Sequence, residues 1–143
     1  MTQRVPFIRG LDYERIPGSW WCSRWKWHLL GTHECHTRIY PAFRLHMEYV
    51  SIYPDGTLVL EGGYAIDGVT FGWDSPRSMR AAYIHDGLCQ LIESGWLGWE
   101  WRRQADREFL RALIDDGFPP CWARLRYRAV RAWSCMAEAR VKC

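Results

Sequence analysis

Residues 81–94 read AAYIHDGLCQLIES. Ala81, Ile84, Leu88 and Ile92 recur at the three- and four-residue spacing of one apolar stripe on a helix. His85 falls four residues after Ala81 and three before Leu88, so its imidazole shares that stripe and points inward. A buried ring nitrogen without a partner costs on the order of 1–3 kcal/mol, so the chain must supply one.

The partner comes from the next helix. The DSP at 74–76 offers a cap and a first-turn proline, and SG at 94–95 offers a stop, so the first helix runs to about Ser94. A second helix spans about Trp99 to Asp116, ending at GFPP, and places Asp106 on the stripe of Phe109, Leu110 and Leu113. The short link ESGWLG makes the two helices antiparallel neighbours and brings Asp106 to His85. A carboxylate on one imidazole nitrogen fixes the tautomer and leaves the other nitrogen to take a proton from water, which is a general-base dyad.

Asp86 projects about 100 degrees further round the helix, away from His85. It faces the preceding loop, GGYAIDGVTFGWD, which carries Asp67 and several glycines. Carboxylates with backbone carbonyls are the ligands of a hard cation, so calcium is the metal expected at Asp86 and Asp67. Zinc suits the site less well, because it favours His nitrogen and Cys sulfur.

Upstream of the helices the pattern changes period. TRIYPAFRLHMEYVSIY alternates, with Phe43, Leu45, Met47 and Tyr49 on one side and Arg44, His46 and Glu48 on the other, as one half-buried strand does. PDG at 54–56 is a turn, and TLVLEGGYAI continues the hairpin. Residues 1–36, rich in Gly, Pro and Trp, read as an irregular arm. A third helix from Cys121 to Val141 pairs an inward stripe of Trp122, Leu125, Ala129, Ala132, Trp133 and Met136 with arginines on a solvated outer face; lying on an anionic membrane is the alternative for such a helix. The expected fold is α+β in a single domain, 1–143: the arm at 1–36, a β-rich part at 37–72 with a small antiparallel hairpin or sheet, and a three-helix part at 74–143.

Composition narrows the function classes. With 19 Lys and Arg against 16 Asp and Glu, the net charge of +3 is too slight to suggest a specific nucleic-acid partner. Six cysteines without a CxxC pair read as reduced thiols. THECH, at 32–36, with Cys22 and His28 upstream, is the nearest approach to a metal cluster, yet its spacing fits no finger and it reads as a polar loop. The ten tryptophans suit a lipid interface, but in a small domain they more often fill a core or a protein contact. No signal-peptide core or membrane span is visible, so host cytoplasm or virion is the expected location.

GYAIDGVT at 63–70, AAYIHDG at 81–87 and RRQADREF at 102–109 together resemble a phage and prophage family, domain of unknown function 1353, over roughly residues 40–120. Its members share a Gly-aromatic-x-x-Asp-Gly-x-Ser/Thr loop, a His-Asp helix and an Arg-x-x-Ala-Asp-x-x-Phe helix. The His-Asp helix facing an inward Asp is also similar, more remotely, to small bacterial phospholipase A2 enzymes. That resemblance implies His85 as general base, Asp106 as its orienting partner and Asp86 as a calcium ligand. Cys89 stands where those enzymes carry Tyr, and their Gly/Cys-rich calcium loop has no counterpart.

Two functions follow as expectations. One is a phage-encoded, metal-dependent hydrolase acting on a lipid ester, with membrane lipid as partner. The other is a virion or assembly protein, with His85, Asp86 and Asp106 in a structural polar network and the Trp-rich arm docked on other phage proteins.

Overall fold

The computed structural model describes residues 9–17, 25–68 and 74–143. Its β part grows from the turn at Pro54, Asp55 and Gly56. Asp55 Oδ1 accepts the Thr57 amide at 2.9 Å, and Gly56 takes φ +89° where its neighbours leave no room for a Cβ. This turn joins β5 (Val50–Ile52) to β6 (Thr57–Leu60) in antiparallel register. Outside them lie β4 (Leu45–His46), on β5, and β3 (His33–His36), on β6, so the order in this sheet is β3-β6-β5-β4. A second antiparallel sheet has the order β1-β2-β7, from β1 (Tyr13–Arg15), β2 (Trp27–Leu29) and β7 (Ala65–Ile66).

These strands correct three expectations. The alternating run at 37–53 is not one strand: it folds back on itself, with Met47 and Val50 exchanging backbone hydrogen bonds at 2.7 and 3.3 Å. Phe43 lies in a bend before β4 rather than within a strand and is 76% exposed. The described part of 1–36 is not an irregular arm either, since it supplies β1, β2 and β3; residues 18–24, with Cys22, lie outside the described residues. THECH is a strand rather than a polar loop, with His33 inside and Glu34 outside, because pairing to Thr57–Leu60 satisfies its backbone. The first segment turns within itself, while partner strands further along the chain stabilise the other two, and local period does not reveal such partners.

Helix α1 (Pro76–Glu93) starts after Ser75, whose amide donates to Ser78 Oγ at 3.1 Å, and ends at Ser94. It packs across the four-stranded sheet through Gly87, where a Cβ would come within 2.8 Å of Leu60. A short 3-10 turn (Trp99–Trp101) leads into α2 (Arg102–Asp115), which runs antiparallel to α1, and α3 (Pro120–Lys142) follows Pro119. The architecture is therefore α+β, two small antiparallel sheets followed by three helices. One buried cluster draws on both parts, including Ile52, Leu60, Ile84, Leu88, Phe109 and Leu113. Arg80 of α1 reinforces it by donating from Nε to both oxygens of buried Asp116 at 3.1 and 2.9 Å.

α3 turns a different face inward from the one its apolar residues mark. Its buried positions are Ala123, Arg126, Val130 and Ser134, whereas Trp122, Leu125, Trp133 and Met136 are all exposed. The physical reason is electrostatic: Ser134 and Arg131 carry hydrogen bonds to the buried carboxylate of Asp106 and, together with His85, keep it ionised away from water. Tryptophan as core filler also fails at Trp25, Trp96, Trp122 and Trp133, each of which is exposed. Among the described residues, no helix is long and apolar enough to cross a membrane.

Candidate active site

His85 sits on α1 with 7% of its surface exposed, between the α2 face and a cavity. Its Nε2 lies 2.7 Å from Oδ1 of Asp106, which is fully buried on α2. The same carboxylate receives Ser134 Oγ at 3.1 Å on Oδ1 and Arg131 Nη1 at 2.6 Å on Oδ2. Burial alone would raise the Asp106 pKa, but the hydrogen bond and charge of His85 and the bonds from Arg131 and Ser134 outweigh it and hold the carboxyl below its usual range. An ionised Asp106 only accepts, so the Nε2 proton belongs to the histidine and the lone pair belongs to Nδ1.

Nδ1 lies 4.0 Å from Oδ1 of Asp86 and 3.8 Å from the Cys89 thiol, and both of those residues line the cavity. Burial first, and the nearby acids after it, push the Cys89 pKa well above that of a free thiol, so the sulfur remains protonated. A protonated thiol is a weak donor to Nδ1 and a poor metal ligand or nucleophile.

The cavity measures about 580 Å³ and is bordered by Trp25, Tyr64, Asp67, His85, Asp86 and Trp133. Asp67, just past β7, and Asp86, one residue after His85, thus open on one space. Burial, then the charge of Asp67 and then that of Glu93, raise the Asp86 pKa to about 8, with Arg102 opposing. The Asp86 side chain still keeps 27% of its surface, so water or an ion can reach it. Both donors are oxygen, which fits a hard cation; among the described residues no group of three or more His, Cys, Asp or Glu side chains forms a metal cage. Residues 69–73, part of the expected calcium loop, lie outside the described residues.

All four site residues expected from the sequence therefore line or adjoin this cavity: His85 and Asp106 as a bonded pair, Asp86 and Asp67 as a pair of acids. Arg102, Arg131 and Ser134 were not anticipated. Arg102 Nε donates to Ser134 at 3.1 Å and its Nη1 reaches Glu93 at 2.9 Å, so the three side chains lock α3 onto the dyad. The spacing of Ala123, Arg126, Val130 and Ser134, a second stripe beside the more apolar one, could have turned Ser134 inward, but nothing local marks Arg102 or Arg131 as its companions. Two histidines of the β part are engaged elsewhere: His28 Nε2 meets Glu14 at 2.8 Å, and His46 Nδ1 meets Ser51 at 2.6 Å.

No family model, curated protein or solved structure matches this chain.

Proposed function

We propose that the protein is a phage-encoded hydrolase in which His85 is the general base, Asp106 its positioning residue, and Asp86 with Asp67 the seat of a divalent cation, calcium. The observation that carries this reading is the 2.7 Å contact between Nε2 and Asp106, which leaves the lone pair on Nδ1, where the weakly donating Cys89 thiol at 3.8 Å is its hydrogen-bond partner, on a residue that lines the cavity. Nδ1 takes a proton from water, and the resulting hydroxide attacks the carbonyl carbon of an ester. Asp106, ionised and fixed by Arg131 and Ser134, stabilises the imidazolium formed in that step without accepting its proton. Collapse of the tetrahedral intermediate breaks the carbon–oxygen bond, and Nδ1 returns its proton to the leaving alkoxide. A cation held by Asp86 and Asp67 would supply positive charge to the carbonyl oxygen as negative charge develops there.

The test is product release from a soluble, short-chain phospholipid in calcium buffer, comparing the intact protein with His85→Ala. Activity in the former and its loss in the latter is the expected result. No release by the intact protein would favour the second reading, a virion or assembly component. That reading has its own support: the Cys89 sulfur is 3.4 Å from Nε2 and 3.8 Å from Nδ1, and three donors saturate Asp106, as in a purely structural network.

A further inference from the structure

Bordered by β3, α1 and α2 lies a second cavity, of about 260 Å³, which shares no described residue with the cavity at His85. Two of its side chains are more than nine-tenths buried and carry polar atoms that the protein leaves unused. His33 is 3% exposed: the Gly10 carbonyl accepts from its ring, and Nε2 is buried without a partner, so the proton sits on Nδ1 and the lone pair on Nε2. Arg80 is 8% exposed: its Nε is engaged by Asp116, while neither Nη has a hydrogen-bond partner among the described residues. An unmet acceptor and an unmet donor fork thus open on one small polar space, and each is costly to leave unpaired.

The acids around this space are already answered. Glu108 is held by Arg111 at 2.7 Å and Asp116 by Arg80 and Arg9 at 2.9 and 3.1 Å, while Glu34 and Asp115 are exposed to solvent. At His33 the charge of Arg80 acts more strongly than that of Asp116 or Glu34, and at Cys35 more strongly than that of Glu108. Burial and this positive charge hold the His33 pKa down, so the ring is neutral. A metal ion would meet Arg80 as a like charge, and among the described residues no group of three or more His, Cys, Asp or Glu side chains could hold one. The ligand must instead bring acceptor oxygens to a guanidinium edge and a hydrogen to an imidazole nitrogen. It must also be small, because the cavity is below the roughly 300 Å³ at which pockets for drug-sized molecules begin. Inorganic phosphate meets these demands, since at neutral pH it keeps a P–OH beside its ionised oxygens. Sulfate, of the same shape, keeps none.

We propose that this cavity binds inorganic phosphate, with the Nη–H groups of Arg80 donating to its ionised oxygens and its hydroxyl donating to Nε2 of His33. The site is independent of the hydrolase reading. Titration calorimetry of the full chain at about pH 7, with phosphate or sulfate at matched ionic strength, tests it. Phosphate should bind saturably at one site, and sulfate at least about tenfold more weakly, for want of one hydrogen bond to a buried group. Glycerol phosphate, which has largely lost its P–OH at this pH, should bind as sulfate does. His33→Phe removes the lone pair and should bring phosphate down to the affinity of sulfate while leaving sulfate unchanged. Arg80→Lys, which keeps a cation for Asp116 but loses the fork, should weaken both anions. Absence of saturable phosphate binding, equal affinity for phosphate and sulfate, or undiminished phosphate binding by His33→Phe would overturn the site. Should that variant fail to fold, the ratio of the two anions in the intact protein decides.

Discussion

Arg131 of α3 closes on the Asp106 carboxylate of α2 at 2.6 Å, on the oxygen that His85 does not use. One buried carboxylate thereby joins all three helices, with His85 from α1 and Arg131 and Ser134 from α3. Removing it orphans three donors at once. Asp106→Ala should lower stability by about 3 kcal/mol, because the imidazole of His85 loses its carboxylate and Arg131 keeps only the 4.0 Å contact with Glu138 as an ion pair. Ser134→Ala should cost about 1 kcal/mol or somewhat more, as Arg102 and Asp106 each lose a neutral partner. Urea midpoints of the two variants give the comparison; equal costs would mean that the network does not centre on Asp106.

Stability in the absence of divalent cation should fall as pH rises toward 8. Asp86 has a folded pKa of about 8 against an ordinary 3.8, so the folded state favours its protonated form. Its contribution is complete below the ordinary value and is lost as pH climbs through the folded one. Asp106 acts in the opposite sense, since its depressed pKa contributes above the ordinary carboxylate range and is lost in acid. Buried His33, its pKa lowered chiefly by burial, adds a rise with pH that is complete by its ordinary value, so between about pH 7 and pH 8 the Asp86 effect should dominate and Asp86→Asn should flatten the profile there in chemical denaturation.

Calcium, on the proposed reading, requires Asp86 ionised. Binding should release a proton, and its apparent affinity should increase about tenfold per pH unit up to the folded pKa. Calorimetry in two buffers of different ionisation enthalpy measures that proton directly. Calcium should also raise the melting temperature, and Asp86→Asn should remove that shift while His85→Ala leaves it in place.

The thiols should separate by reactivity. Cys121, Cys135 and Cys143 are exposed, whereas Cys89 is buried and Cys35, raised to about 12 chiefly by burial, is half-buried. Brief alkylation of the native protein followed by mass mapping should label the first three and spare Cys35 and Cys89. Rapid labelling of Cys89 would contradict the packing between α1 and the dyad.

At the hairpin turn, Gly56→Ala should destabilise by about 1–3 kcal/mol. The residue holds φ +89°, and a methyl group there would collide with the Thr37 carbonyl oxygen. Thermal unfolding checks it; an unchanged melting temperature would mean that the turn relaxes freely.

The helix pair and its dyad were legible in the residues themselves. Helical period, a proline-marked start and a short link between two stripes are local properties, and they sufficed to set His85 against Asp106 and to turn Asp86 toward Asp67. Where local period and tertiary demand diverge, the chain followed the latter. His33–His36 became a strand because Thr57–Leu60 offered it a backbone partner, and Trp27–Leu29 became the middle strand of a sheet because Tyr13–Arg15 and Ala65–Ile66 flank it. α3 shows the same effect most clearly. Its hydropathy marks Trp122, Leu125, Trp133 and Met136 for the interior, but a buried carboxylate on another helix needed Arg131 and Ser134, and the cost of an unpaired charge exceeds the gain from covering a tryptophan. That requirement exists only once α2 and α3 are side by side, so no reading of α3 alone contains it.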